Sequence, residues 1–301
     1  MKKKVVFILG PTAVGKTYFS VMLAKKYNGE IISADSVQIY KGLNIGSAKV
    51  TEEEMSGIKH YAIDILEPEQ EFSVYDFVEY TKQKIDEILQ KGKLPIIVGG
   101  TALYVKALTL GYNFGGVEKD DNLRKQLEDL AKEKGNEHLY EMLKEKNPDL
   151  AEKTDKHNTV RLVRALEIAL SNGKKDKVDV DIEPLILALN KDRALLYDAI
   201  NKRVDIMLEN GLIEEVEGLK KRGLSRENQS MRAIDYKEVL GYLEGEYDYD
   251  RMVELLKQHS RNYAKRQLTF LRGMDDVNFV DVQDLDKAKN QIFTLVEEFL
   301  K

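Results

Sequence analysis

Eight residues near the start of the chain restrict its fold more than any other feature. Gly10-Pro11-Thr12-Ala13-Val14-Gly15-Lys16-Thr17 fits G-x-x-x-x-G-K-[ST] at every fixed position. The apolar, β-branched run 4–9 precedes it, and Phe19, Val21, Met22, Leu23 and Ala24 follow at helical spacing. A strand, a glycine loop and a helix in that order form a phosphate cradle. The glycines let backbone N–H groups turn inward, and the helix N-terminus adds about half a positive charge. Lys16 neutralises phosphate oxygens and Thr17 can ligate Mg²⁺. An ordinary Gly-rich strand–helix turn is the plain alternative. The motif points to a bound di- or triphosphate and does not say that ATP is hydrolysed.

The rest of the chain fits the class. Strands are expected at 30–34 and 94–98, with an amphipathic helix over 72–90 between them carrying Phe77, Val78, Ile85, Ile88 and Leu89. Strand–helix alternation implies a parallel sheet covered on both faces. The pattern changes between about 113 and 182, where helices are expected at 122–134, 137–146 and 159–171 and no strand is convincing. Gly111, Gly115 and Gly116 open this stretch, and the polar run Asn172–Asp181 closes it. Sheet character returns at 184–189. Helices at about 193–209, 212–222, 232–244 and 249–272 and a strand at 277–282 complete the reading. The expectation is a P-loop NTPase-like α/β core (1–112 and 183–301) with a helical C-terminal part and a helical insertion (113–182).

Composition excludes several classes. With 301 residues, 43% hydrophobic and 33% charged, the chain can bury a core and solvate its surface, so disordered and collagen-like classes are out. No apolar run approaches the roughly 20 residues of a membrane span. The start MKKKVVFILG resembles a signal peptide, but cleavage would destroy the phosphate loop. Cysteine is absent, which removes disulfides, thiol nucleophiles and zinc-thiolate sites. A cytoplasmic protein is expected. The net charge of −5 argues against wholesale nucleic-acid coating, yet a local basic face suffices for RNA. Residues 251–273 hold Arg251, Lys257, Arg261, Lys265, Arg266 and Arg272 against Glu254 alone. Such a helix is either a solvated face or a phosphate-facing one.

In many P-loop proteins an apolar strand ends in an Asp that orders Mg²⁺. Here the run 94–98 ends in Gly99-Gly100-Thr101, which offers a hydroxyl and close backbone approach but no charge. The carboxylate comes from the second strand, where Asp35 falls at the carboxyl end, the edge at which open α/β sheets bind ligands. It reads as a general base, a magnesium-shell carboxylate, or a turn residue.

The strings GPTAVGKT, SADSVQIYKGLNIGSAK and LPIIVGGTALYVKAL, with RLVRALEIALSNGK, MRAIDYKEVLGYLEGE and RNYAKRQLTFLR further on, resemble the tRNA dimethylallyltransferases from about residue 5 to 273. The resemblance implies transfer of a dimethylallyl group from dimethylallyl diphosphate to N6 of adenosine 37, beside the tRNA anticodon. The phosphate loop would then hold a diphosphate leaving group, which accounts for the missing strand-end Asp. The resemblance implies Asp35 as the base and Lys16, Thr17 with Mg²⁺, Thr101 and Arg203 around the diphosphate. It places Asp35, Ser36, Val37, Gln38, Tyr40, Thr101, Arg124, Val160, Arg161, Arg164, Lys265 and Arg266 against RNA, with the anticodon stem-loop as partner and a monomeric enzyme.

Arg203 could equally be a surface helix arginine. Gln38 and Tyr40 could simply pack, and Arg161 and Arg164, three apart on one helix face, could pair with Glu167. His60 is expected to hold structure rather than to catalyse. The chain departs from the family at Asp235, where glycine is usual, at Phe270 for tryptophan and at Ser47 for threonine. Without cysteine it lacks the zinc finger of eukaryotic relatives and looks bacterial. Two other functions share the phosphate loop: a kinase of a nucleotide or small metabolite, which needs lid arginines, and a non-enzymatic RNA-binding switch.

Overall fold

The computed structural model describes residues 2–110, 120–171 and 181–301. Gly111, Gly115, Gly116 and most of the run 172–181 lie outside them. The elements are β1 (Lys3–Leu9), α1 (Lys16–Lys26), β2 (Gly29–Ala34), α2 (Glu52–Met55), β3 (His60–Tyr61), α3 (Val74–Gln90), β4 (Leu94–Gly99), α4 (Ala102–Leu110), α5 (Asp121–Lys134), α6 (Asn136–Lys146), α7 (Pro148–Glu152), α8 (Thr159–Leu170), β5 (Ile182–Asn190), α9 (Arg193–Glu209), α10 (Leu212–Lys221), α11 (Ile234–Leu243), α12 (Tyr249–Arg272), β6 (Val277–Asp281) and α13 (Leu285–Leu300).

The six strands form one parallel sheet in the order β3-β2-β4-β1-β5-β6. Helices cover both faces of such a sheet, so its central strands have no wet side and read as unbroken apolar runs. Val5 to Leu9 of β1 and all six residues of β2 are buried accordingly. Val6, Ile8, Ile31, Ile96, Leu187 and Leu189 belong to a core shared with Phe19 and Leu23 of α1 and Ile292 and Val296 of α13. Helix starts follow local chemistry. Ser73 and Asp76 form a capping box on α3, Asp192 caps α9, and Asp248 caps α12, each satisfying N–H groups the helix leaves open.

Strand register sets the level at which the loops leave the sheet. Leu9 pairs with Gly99 and Ala188, and Ala34 pairs with Gly99. The phosphate loop after β1, Asp35 after β2 and Gly100-Thr101 after β4 therefore emerge together on its carboxyl edge.

The chain divides into two compact units, one of Met1–Thr109 with Val180–Lys301 and one of Leu110–Asp179. The second unit has its own apolar centre, in which Leu127, Leu139, Leu143, Leu162 and Leu166 are buried. Among the described residues no helix is long and apolar enough to cross a membrane.

Candidate active site

The phosphate loop has the backbone its sequence requires. Gly15 takes φ +98 at the N-cap of α1, a left-handed conformation open to glycine at no steric cost. Lys16 Nζ donates to the carbonyls of Gly10 at 3.1 Å and Pro11 at 2.8 Å, which holds the ammonium across the loop. Burial, with the Arg203 charge adding to it and Asp35 opposing, pushes its pKa down to about 8. Burial likewise lowers the Arg203 pKa, against the charges of Asp235, Asp35 and Glu54. The two half-buried cations thus lie close enough for the Arg203 charge to lower the affinity of Lys16 for a proton, a repulsion that an anion bound between them would relieve.

Asp35 begins a turn. Its Oδ1 accepts from the N–H groups of Val37 at 2.9 Å and Gln38 at 3.3 Å. Thr101 faces it across the β2–β4 edge: its Oγ1 accepts from Ser36 N–H at 3.2 Å, and its own N–H donates to the Ala34 carbonyl at 3.3 Å. That close approach needs Gly99, where a Cβ would lie 2.2 Å from the Ala34 oxygen. Thr17 sits in the first turn of α1, half-buried.

Several expected residues are engaged within the protein. Gln38 Nε2 donates to the carbonyls of Ser47 and Ala48, and its Oε1 accepts from Ser33 Oγ. Tyr40 is fully buried, and its hydroxyl finds no partner among the described residues. Burial pushes its pKa up to about 12. The loop holding both is pinned by Glu215, which accepts from the N–H groups of Asn44, Ile45 and Gly46 and from the Tyr236 hydroxyl. His60 pairs its Nδ1 with the Ile58 carbonyl at 2.9 Å on the edge strand β3, consistent with a role in structure. Asp235 lies in the first turn of α11. Burial pushes its carboxyl up to about 7, with Arg203 pulling the other way.

Helix α12 presents two faces. Lys265 and Arg266 are exposed, and no described acid pairs with either. Three others of its positive run are engaged: Arg251 pairs with Glu254, Lys257 with Asp205, and Arg261 donates to Asn201. The inner face carries Tyr263 and Gln267, which sequence reasoning did not single out. Burial pushes the Tyr263 phenol up to about 12; the Asp35 charge adds to this, and hydrogen bonding with Thr101 and Gln267 opposes it. A tyrosine and a glutamine four apart on a helix form no motif by themselves, and although both lie in RNYAKRQLTFLR, that resemblance gives neither a role.

In the helical unit, Glu167 is 0% exposed. Arg124 forks onto it through Nε at 3.1 Å and Nη2 at 2.9 Å, Arg164 donates to it through Nη1, and it accepts from the Asp120 N–H. Arg161 is exposed, as is Val160 at 76%.

Among known proteins, a profile of the family described as IPP transferase matches residues 38–274. A tRNA dimethylallyltransferase of Bacillus anthracis is 48% identical, covering 98% of this chain and 96% of its own length. One from Bacillus cereus is 48% identical over 98% and 95%. The crystal structure of a full-length tRNA isopentenylpyrophosphate transferase from Bacillus halodurans superposes with TM-score 0.75 at 42% identity, over 99% of this chain and 98% of that one. A eukaryotic dimethylallyltransferase, captured in crystals acting on tRNA, gives TM-score 0.85 at 29% identity, over 99% and 79%. With a matching profile over most of its length and relatives nearly half identical from end to end, the chain belongs to the IPP transferase family.

Proposed function

We propose that this protein transfers a dimethylallyl group from dimethylallyl diphosphate to N6 of adenosine 37 in tRNA, releasing diphosphate. The observation that carries the reading is the meeting of opposite chemistries at one sheet edge. The cations Lys16 and Arg203 lie on the phosphate-loop side, and the Asp35 turn, tied to Thr101 through Ser36, lies beside them.

An exocyclic adenine amine is a poor nucleophile because its lone pair is delocalised into the ring. In the proposed step the N6–carbon bond forms, the carbon–oxygen bond to diphosphate breaks, and the N6 proton passes to Asp35. Oδ1 is held by the turn, and Oδ2 is the atom left for the proton. Lys16, Arg203 and the Thr101 hydroxyl would stabilise the charge that develops on the leaving diphosphate. Magnesium would share that neutralisation, held by Thr17 and the diphosphate oxygens. The Thr17 hydroxyl is a hard oxygen donor of the kind Mg²⁺ takes, and that ion is commonly held by one or two protein groups together with substrate phosphates.

Adenine N6 is stacked or paired within an RNA helix, so the base must be turned out to react. Ser36, Val37, Gln38 and Tyr40 belong to the loop that would receive it, with Gln38 and Tyr40 supporting that loop from within. Arg124, Val160, Arg161 and Arg164 of the helical insertion, with Lys265 and Arg266 of α12, would meet the anticodon stem-loop, chiefly at phosphates. A monomeric, cytoplasmic enzyme suits this role. A kinase would share the phosphate loop, but β4 ends in Gly99-Gly100-Thr101 without an acid, and the end-to-end relatives are dimethylallyltransferases.

The test is prenyl transfer to unmodified bacterial tRNA, read by mass spectrometry of the nucleosides. One added C5H8 on adenosine is expected, and Asp35→Asn should lower turnover by about 10²–10⁴-fold while keeping donor binding. Asn retains an Oδ1 for the turn, so the loop survives. ATP consumption without prenylation would overturn the reading.

A further inference from the structure

Gln267 belongs to none of the phosphate-binding or RNA-facing residues, yet it is 5% exposed and lies between them. Its Oε1 accepts from the Thr12 N–H at 3.1 Å, inside the phosphate loop. Its Nε2 donates to the Gly100 carbonyl at 3.0 Å, one residue before Thr101. The approach is close enough that a Cβ on Gly100 would lie 2.0 Å from Nε2. The β1–β4 ladder ends at the Leu9–Gly99 pair. Beyond it, this one side chain joins the loop after β1 to the segment after β4. A primary amide accepts from one backbone and donates to the other without carrying charge.

We propose that Gln267 is a positioning residue for prenyl transfer, an inference that rests on the reading above. The connection runs from Thr12 through the amide to Gly100, on to Thr101, whose hydroxyl accepts from Ser36, and so to the turn capped by Asp35. One end of that line holds the leaving group and the other the base. Releasing it lets the two halves of the site shift against each other, which lowers the rate of the chemical step and leaves tRNA affinity unchanged.

The full-length variants Gln267→Met and Gln267→Glu test this. Met keeps much of the shape and makes neither hydrogen bond. Its single-turnover transfer rate should fall about 30- to 100-fold, the scale of a small misplacement of reacting groups, with tRNA affinity within about threefold. The Glu variant separates positioning from simple folding. As a carboxylate it cannot donate to Gly100; once protonated it both donates to Gly100 and accepts from Thr12. Burial raises its pKa, so its rate relative to the wild type at the same pH should rise at least about fivefold from pH 8.5 to pH 5.5. A Met variant within twofold of the wild type overturns the proposal, as does a flat ratio for Glu. If Met does not fold, the Glu ratio decides. Should the wild-type protein transfer no prenyl group, the parent reading fails by itself. Amide hydrogen exchange of the peptide holding Thr12 then decides the clamp: faster exchange in Gln267→Glu at pH 8 than at pH 5.5, after correction for intrinsic rates, supports it, and equal protection overturns it.

Discussion

Asp235→Asn probes a carboxyl held by burial beside Arg203. Burial pushes the Asp235 carboxyl up to about 7, and Arg203 opposes the rise. In the unfolded chain an aspartate titrates near 3.9. The native protein therefore holds this proton over a pH range in which the unfolded chain has lost it, and stability falls as pH rises through that window. A gap of about 3 pH units corresponds to roughly 4 kcal/mol at the limit. Asp235 keeps part of its surface exposed, and solvent screening reduces the figure to about 2–3 kcal/mol. Asn is nearly isosteric with the protonated acid and does not titrate. Urea unfolding at pH steps from 4.5 to 8 should show near-equal stabilities at the acid end. The variant should gain about 2–3 kcal/mol over the wild type by pH 8. Comparing the two proteins cancels every other titration. The same charge also faces Arg203, so Asp235→Asn should bind inorganic diphosphate with Mg²⁺ about 3- to 10-fold more tightly at pH 8 and no more tightly at pH 5.5. A stability difference independent of pH, or a wild type more stable at pH 8, would refute the reasoning, because attraction to Arg203 would then outweigh burial.

Three further perturbations address separate parts of the molecule. Glu167→Gln leaves Arg124 and Arg164 facing a neutral amide. With both arginines about a third exposed, the loss should be about 2–3 kcal/mol in chemical unfolding of the full chain. Burial raises the Glu167 pKa, but bonds from Arg124, the Asp120 N–H and Arg164 outweigh it and hold the carboxyl below its ordinary value. The deficit should therefore close as pH falls below the carboxylate range. Gly99→Ala drives a Cβ to 2.2 Å from the Ala34 oxygen. Backbone must move, so a cost of about 1–3 kcal/mol in unfolding is expected, with transfer falling more than the bound tRNA fraction. Thr101→Ala removes the acceptor for the Ser36 N–H. The transfer rate should drop about 10- to 100-fold with tRNA affinity largely intact; a selective loss of tRNA binding would move Thr101 out of the leaving-group shell.

The parts of this fold that are legible in the sequence are those whose cause is local. The buried strands β1, β2, β4 and β5 announce themselves as apolar runs because parallel pairing leaves them no polar face. The phosphate loop is readable because its donors, its glycines and Lys16 fall within eight residues. Strand β3 escapes because two residues, His60 and Tyr61, carry no period; the edge of β2 makes them a strand. Helix α4 begins almost at once after β4, and its apolar run is hard to tell from a continuing strand. Helix α13 is absent from the sequence reading although Ala288, Ile292 and Val296 repeat at a spacing of four and bury one stripe. There the signal is present and simply missed.

The site divides along the same line. Lys16, Thr17 and Asp35 follow from a motif and a strand end. Arg203 and most of the residues proposed to meet RNA come through resemblance, since an arginine on a helix says nothing alone about the anion it meets; only the basic run around Lys265 and Arg266 stands out by charge. Gln267 lies within the matching string RNYAKRQLTFLR, yet neither motif nor resemblance gives it a role. It lies 255 positions from Thr12 and 167 from Gly100, and its chemistry exists only once the sheet has set the two loops side by side. Glu215 is the same case, holding the Asn44–Gly46 backbone from 169 or more positions away. A phosphate loop specifies an anion from within its own eight residues. Whether that anion is set against a base depends on side chains drawn from distant helices, which is where enzymes sharing one phosphate loop become different enzymes.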